Sequence, residues 1–268
     1  MTELSTVLNR IFELNRQLLL AIKEHNGKKS IVRKCEQISY NHLRSIALES
    51  QLPFISKFDQ VDFEERKNWS SFWILSPIIG KKQLREGKSD FLIAITKIEK
   101  QRPTFSLLLS PLEKELYISI NNKAYKIIDF ELFKRSGIDS WLTENNRINK
   151  PIEGFFFNIM KNKNRMNAKT ENYIENFKLN KSGAIQEKID ESPKNLIGIA
   201  TGEYDIYLHF KVINEWDIAP FDALITASGN RVTQKDGILP IIYNSERLKI
   251  PSFVAKNNFD VDSINLKQ

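Results

Sequence analysis

Apolar residues at Leu4, Leu8, Ile11, Leu14, Leu18, Ala21 and Ile22 recur every three or four positions. That spacing gathers them on one stripe of a 3.6-residue helix, so the chain opens with an amphipathic helix expected to end near Gly27. A second helix is expected from about Glu36 to Ser50, ahead of Pro53. The pattern then changes period. Phe72–Leu75, Phe91–Ile98, Thr104–Leu109 and Leu116–Ile120 are short β-branched or aromatic runs separated by Gly80, Gly87 and Arg102-Pro103, the outline of an antiparallel meander. The mixed, polar stretch from Asn121 to Lys150 carries Gly137 and the asparagines 145, 146 and 149, and it reads as a boundary. Beyond it lie the apolar run Phe155–Met160, a helix from about Ala168 to Leu179, the alternating strand Ile206, Leu208, Phe210, and a helix from Trp216 to Ala227 before Gly229. Two units are expected: helices with an antiparallel sheet over residues 1–150, and an α/β unit over 151–268.

Composition narrows the function classes. A chain of 268 residues with 41% apolar and 27% charged side chains can bury a full core, and 10 Gly and 9 Pro exclude a fibrous or low-complexity chain. The single cysteine, Cys35, cannot form an internal disulfide or a Cys-rich zinc site, which points to a reducing, cytoplasmic setting. Glu3, Arg10, Glu13 and Arg16 interrupt any signal-peptide core at the start, and no run approaches the ~20 apolar residues of a membrane span. A net charge of +7 favours anionic partners, although scattered lysines equally make a solvated surface. His25, His42 and His209 offer no pair at metal-ligand spacing, and no Walker loop, G-x-S-x-G or G-x-G-x-x-G occurs.

Two stretches carry a resemblance. The run Trp73-Ile74-Leu75-Ser76-Pro77-Ile78-Ile79-Gly80-Lys81-Lys82-Gln83-Leu84 resembles the pattern W-x-x-D-P-x-D-G-T-K-E-F, and Trp216-Asp217-Ile218-Ala219-Pro220 with Gly229 resembles W-D-x-A-A with its later glycine. Between them, Ser192-Pro193-Lys194 is similar to an S-S-x-K segment and Ala200-Thr201-Gly202 to an A-E-G turn. These are the marks of the inositol-monophosphatase superfamily, and within it of the CysQ-type 3′(2′),5′-bisphosphate nucleotidases. The resemblance runs from the N-terminal helices to about Val232 and implies an α/β fold, a layered α-β-α-β-α sandwich of two subdomains with the active cleft between them.

The same resemblance implies hydrolysis of phosphate monoesters by two or three Mg²⁺ ions, held by a Glu, the two Asp of D-P-x-D and the Asp of W-D, since Mg²⁺ requires oxygen ligands in near-octahedral geometry. Here the Glu falls on Lys57, the two Asp on Ser76 and Ile79, and the Thr of D-G-T on Lys81; of the four carboxylates Asp217 alone remains, the one residue left for a metal. Glu36 stands for the acidic residue of an N-terminal T-x-x-D segment, whose threonine is Arg33. Counting Asp217, Lys57 and Lys81, four negative charges have become one net positive charge. Two unit charges ~4 Å apart interact by ~4 kcal/mol at an effective dielectric of 20, so a lysine in each metal neighbourhood opposes metal occupancy and attracts an anion. No residue is therefore assigned a catalytic role. Lys57, Gly80, Lys81, Lys194 and Asp217 are expected to bind a ligand, with Lys194 matching a nucleotidase lysine that meets a phosphate, and Phe221 is expected to narrow the cleft. Asp59, Asp62, Glu64, Glu65 and Asp90 are the carboxylates nearby, but none falls at a ligand position.

The expected function is a catalytically impaired relative, a pseudophosphatase that binds a phosphorylated small molecule such as a nucleotide bisphosphate, or another anion, without a cofactor. An active Mg²⁺-dependent phosphate monoester hydrolase is the alternative, and a basic nucleic-acid or protein interaction module is the third reading. Nucleic-acid recognition would bring a motif, and none is found. A membrane partner is not expected, and pairing with itself or with another protein stays open.

Overall fold

The computed structural model describes residues 2–25, 30–131, 140–148, 156–163, 166–180, 184–235 and 237–258. Helices α1 (Thr2–His25) and α2 (Ile31–Glu49) come first. Then follow β1 (Phe54–Ile55), α3 (Phe63–Arg66), β2 (Ser71–Ile79), α4 (Lys81–Arg85), β3 (Leu92–Glu99), β4 (Arg102–Ser110), β5 (Glu115–Ile120), β6 (Lys123–Ile128) and β7 (Arg147–Ile148). The second half holds β8 (Phe156–Asn162), α5 (Ala168–Asn180), β9 (Ala184–Asp190), α6 (Asn195–Thr201), β10 (Ile206–His209), β11 (Ile213–Asn214), α7 (Glu215–Ala227), β12 (Arg231–Gln234), β13 (Lys249–Ile250) and β14 (Phe253–Lys256).

Strands β1 to β7 form one seven-stranded sheet in chain order, antiparallel except for the parallel β1–β2 pair. Side chains alternate across it with the period of two that a strand imposes. Trp73, Leu75, Ile93, Ile95, Leu107 and Leu109 pack with Leu8, Ile11, Leu14 and Leu18 of α1 and with α2. Phe72, Ile74, Ala94 and Leu108 face the other way, toward Trp216, Ile218 and Phe221 of α7. The second sheet, ordered β12-β14-β10-β8-β9, is mixed because α5 carries the chain between the parallel strands β8 and β9. Tyr207, Phe253 and Ala255 belong to the core shared with α7, whereas Ile159, Ile206, Leu208 and Val254 pack with Ile174 of α5. The layers therefore run α1/α2, sheet, α6/α7, sheet, α5. A helix held between two sheets is covered on most sides, and ten residues of α7 are buried, the carboxylates Glu215 and Asp222 alongside eight largely apolar ones.

Two boundaries differ from the reading of the sequence. The second helix begins at Ile31, a turn earlier than Glu36, because Ile31 and Cys35 continue its buried stripe. Strand β6 lies inside the stretch taken as a boundary: Ala124, Tyr125 and Ile127 are buried in the first sheet despite the polar residues around them. The expected division at residue 150 falls outside the described residues, as does the expected helix end at Gly27.

Candidate functional site

A cavity of about 540 Å³ opens where the end of β2, α4 and the first turns of α7 meet strands β8, β10 and β14 of the second sheet near their ends. Lys57, Ser76, Ile79, Gly80, Lys81 and Asp217 all line it, so six residues picked from three separate motifs converge. Glu36 of α2 joins them. One of its carboxylate oxygens, Oε1, lies 2.5 Å from Lys57 Nζ and 2.8 Å from Lys81 Nζ, and the Lys57 ammonium also sits 4.3 Å from the Phe58 ring centre. Two ammonium groups and the carboxylates of Glu36 and Asp217 cancel, so the count that left one positive charge was incomplete: it omitted Glu36.

The two lysines titrate differently. Burial pushes the Lys57 ammonium below the ordinary lysine range, and the neighbouring Lys81 charge adds to this while Glu36 opposes it. Burial also works against Lys81, but the Glu36 carboxylate beside it and the charge of Asp217 outweigh it and raise its pKa. Lys57 therefore loses its charge first on alkalinisation. Affinity for sulfate, measured by calorimetry, is expected to fall as pH rises toward 10.5, and Lys57→Arg, whose guanidinium does not titrate there, is expected to move that fall to higher pH.

Ser76 and Pro220 depart from the motif as a pair. Inside α7, Pro220 has no N–H to give to the carbonyl four residues before it, that of Trp216. Ser76 Oγ donates to that carbonyl at 2.5 Å, in the buried space between β2 and α7. An aspartate at position 76 could not make this bond, because an ionised carboxylate only accepts. Ser76→Ala is expected to cost about 1–3 kcal/mol by orphaning the carbonyl, and much of that loss is expected to vanish when Pro220→Ala returns an N–H. Urea denaturation of the four members of this cycle reads the coupling; strict additivity would refute it.

Gly80, before α4, has φ of 92°, and a Cβ there would meet Pro193 Cγ at 2.8 Å; glycine thus lets the β2–α4 turn and the 192–195 segment close on each other. At the start of α7, Asn214 Nδ2 donates to Asp217 Oδ2 at 2.8 Å, which fixes the carboxylate in the first turn, where the helix dipole favours it. Phe221 lines the cavity as expected from its place in the motif.

Lys194 is placed elsewhere. Its ammonium pairs with Glu113 and, at 2.7 Å, with Glu115, while Ser192, Pro193 and Asn195 line the cavity. Consecutive residues at a helix start point about 100° apart, so α6 can aim Asn195 at the cavity or Lys194, but not both. Asn195, Glu191, Asn162 and Asn214 also line the cavity and were not singled out from the sequence; nothing in their spacing marks them. Glu191 ties the 191–195 segment to α4, taking Lys82 at 2.7 Å and Lys88 at 3.2 Å and accepting Gln83 Nε2 on its carbonyl at 2.9 Å. Of the nearby acids, Asp59 is occupied by Tyr40 and Ser56, each at 2.9 Å.

With this geometry in view, the relatives give it a lineage. The inositol monophosphatase family matches residues 3–260. The chain belongs to the inositol monophosphatase family. Among curated members, the 3′(2′),5′-bisphosphate nucleotidase CysQ of Buchnera aphidicola is 26% identical over 185 residues, 69% of this chain and 63% of that protein. The CysQ of Haemophilus influenzae is 25% identical over 81% of this chain and 77% of its own length. Among solved structures, CysQ from Bacteroides thetaiotaomicron superposes with a TM-score of 0.83 at 21% identity, covering 96% of this chain and 98% of that one. Inositol monophosphatase II from Staphylococcus aureus superposes at 0.74 and 14% identity, covering 99% and 94%. At these identities the structural likeness is one of fold, and it is the layered sandwich described above.

Against the family's Mg²⁺ chemistry stands this member's donor set. Ile79 offers no donor, Ser76 is committed to the Trp216 carbonyl, Glu36 is shared by two ammonium groups, and Asp217 already accepts from Asn214. Among the described residues no three His, Cys, Asp or Glu side chains gather where they could hold a metal ion. The residues present do not fit Mg²⁺.

Proposed function

We propose that this inositol monophosphatase relative has exchanged metal-dependent hydrolysis for direct binding of a phosphorylated small molecule, the lysines standing where cations stood. The observation that supports it is the meeting of Lys57 and Lys81 on one oxygen of Glu36, in the cavity that also holds Ser76, Ile79 and Asp217. Each ammonium has three donors, and a single shared carboxylate oxygen leaves donors for a phosphate. A lysine holds phosphate as a point charge but cannot supply a metal-activated water. The CysQ relatives suggest a nucleotide bisphosphate as the ligand; we infer a cytoplasmic setting from the lone Cys35. No helix among the described residues is long and apolar enough to cross a membrane.

The family's own activity is the second reading, favoured by the match over residues 3–260. Phosphate release from adenosine 3′,5′-bisphosphate and from inositol 1-phosphate, with Mg²⁺ and with EDTA, separates the two. The expected result is no release above buffer in either. In a thermal scan, the bisphosphate and sulfate are expected to stabilise the protein while Mg²⁺ alone does not; a ligand at 100 times its Kd contributes about 2.7 kcal/mol. Turnover abolished by EDTA would establish the hydrolase and end the proposal.

A further inference from the structure

We propose that Lys57 is an amine nucleophile that condenses with the carbonyl of an anionic aldehyde or ketone, with Glu36 carrying the proton and Lys81 holding the anionic group. This rests on the anion-binding reading and goes beyond it, because simple binding needs no nucleophile. One carboxylate oxygen lies 2.5 Å from one amine and 2.8 Å from the other, ion-pair contacts close enough for a proton to pass between Glu36 and either group. The Lys57 side chain lines the cavity and is 27% exposed, so a ligand reaches it. The groups facing it are Glu36, Lys81 and the Phe58 ring, with Asp217 acting on Lys81.

The direction of titration agrees with this geometry. A lysine becomes a nucleophile when it is desolvated or set beside another cation, and Lys57 is both. Lys81 shifts the opposite way and keeps its charge. Two like groups whose environments drive them apart divide into a base and a charged anchor.

The chemistry balances without an oxidant or a second reactant. Glu36 takes a proton from the Lys57 ammonium, the freed nitrogen lone pair forms a C–N bond, and the carbonyl π pair moves to oxygen, which Glu36 protonates. Glu36 then removes a proton from nitrogen and returns it to the hydroxyl, which leaves as water as the nitrogen lone pair forms C=N. Ammonium and carbonyl have become a protonated imine and one water, and Glu36 ends as it began.

The test uses pyridoxal 5′-phosphate as probe on the full chain at pH 7.5, with borohydride to fix any imine, intact mass to count adducts and peptide mapping to place them. One adduct per chain is expected, at Lys57, forming at least about tenfold faster than at any other lysine, slowed by sulfate and absent from that peptide in Lys57→Arg. Glu36→Gln is expected to slow it about a hundredfold. Mapping on the wild-type protein locates the adduct even if a variant fails to fold. Labelling spread over many lysines without preference for Lys57 overturns the inference. If sulfate stabilises the wild-type protein in a thermal scan but no Lys57 adduct forms, the nucleophile is refuted and anion binding stands. If neither occurs, the reading beneath it falls as well.

Discussion

Restoring three of the family's carboxylates with Lys57→Glu, Ser76→Asp and Ile79→Asp and its threonine with Lys81→Thr, built together with Pro220→Ala, is expected to give a protein that Mg²⁺ stabilises, whereas the wild type is expected to gain nothing from Mg²⁺. The fifth change is needed because Ser76 satisfies the carbonyl that Pro220 leaves open, so an aspartate placed at 76 alone would orphan that carbonyl and set a charge beside it. Such uncompensated burial costs about 3–5 kcal/mol. Without metal, the variant is expected to be much less stable than the wild type, since carboxylates ~4 Å apart repel by about 4 kcal/mol at an effective dielectric of 20. Added Mg²⁺ at 100 times its Kd recovers about 2.7 kcal/mol, which in a chain of this size is a rise in Tm of roughly 5–10 °C. Thermal scans of both proteins with Mg²⁺ and with EDTA measure this directly. A variant that folds and gains nothing from Mg²⁺ would show that the motif positions do not map onto a metal cage.

The second large effect concerns the frame that holds α7. Glu215 is fully buried at its first turn and accepts the N–H groups of Asn244 and Ser245 at 2.9 and 2.8 Å and the Ser245 hydroxyl at 2.6 Å. Asn244 in turn accepts from Arg66 Nη1 at 2.7 Å and donates to the Arg66 carbonyl at 2.7 Å, while Arg66 Nη2 reaches the Glu246 carbonyl at 2.7 Å. The network binds α3, beside the first sheet, to the loop and helix that carry Asp217. Glu215→Ala is expected to cost about 3–5 kcal/mol, because it leaves buried donors unmet and removes the charge facing a buried guanidinium. The urea midpoint should drop with an unchanged slope, which separates lost stability from a change of the unfolded state. Anion affinity should fall with it, as the first turn of α7 loses its anchor. A loss under about 0.5 kcal/mol would mean that the loop is held by packing alone.

Much of the fold was legible because its signals are local. The 3.6-residue stripe of α1 and the short runs of β2 to β5 each lie within a few neighbours of one another, and the motifs named the layers. β6 was not recognised as a strand because Ala124, Tyr125 and Ile127 are set among Lys123, Lys126 and a polar turn, a short apolar run without the period of two that marks a strand. Lys194 shows the limit of motif matching: position along the chain was right to a single residue, but the rotation of α6 gave the cavity Asn195. Glu36 was visible as an acid in a matching segment, yet nothing in its vicinity revealed that it meets Lys57 and Lys81.

By itself the amino-acid order determined the family and the layered plan, and it carried the expectation that three metal-binding carboxylates are replaced, since side-chain identity at a motif position is covalent and survives any rearrangement around it. Only the tertiary structure decided what the replacements do: that Glu36 neutralises the lysines, that Ser76 answers Pro220 across 140 positions of chain, and that Lys194 turns away. Those pairings depend on ångström distances between elements far apart in sequence, and short-range periodicity carries no record of them.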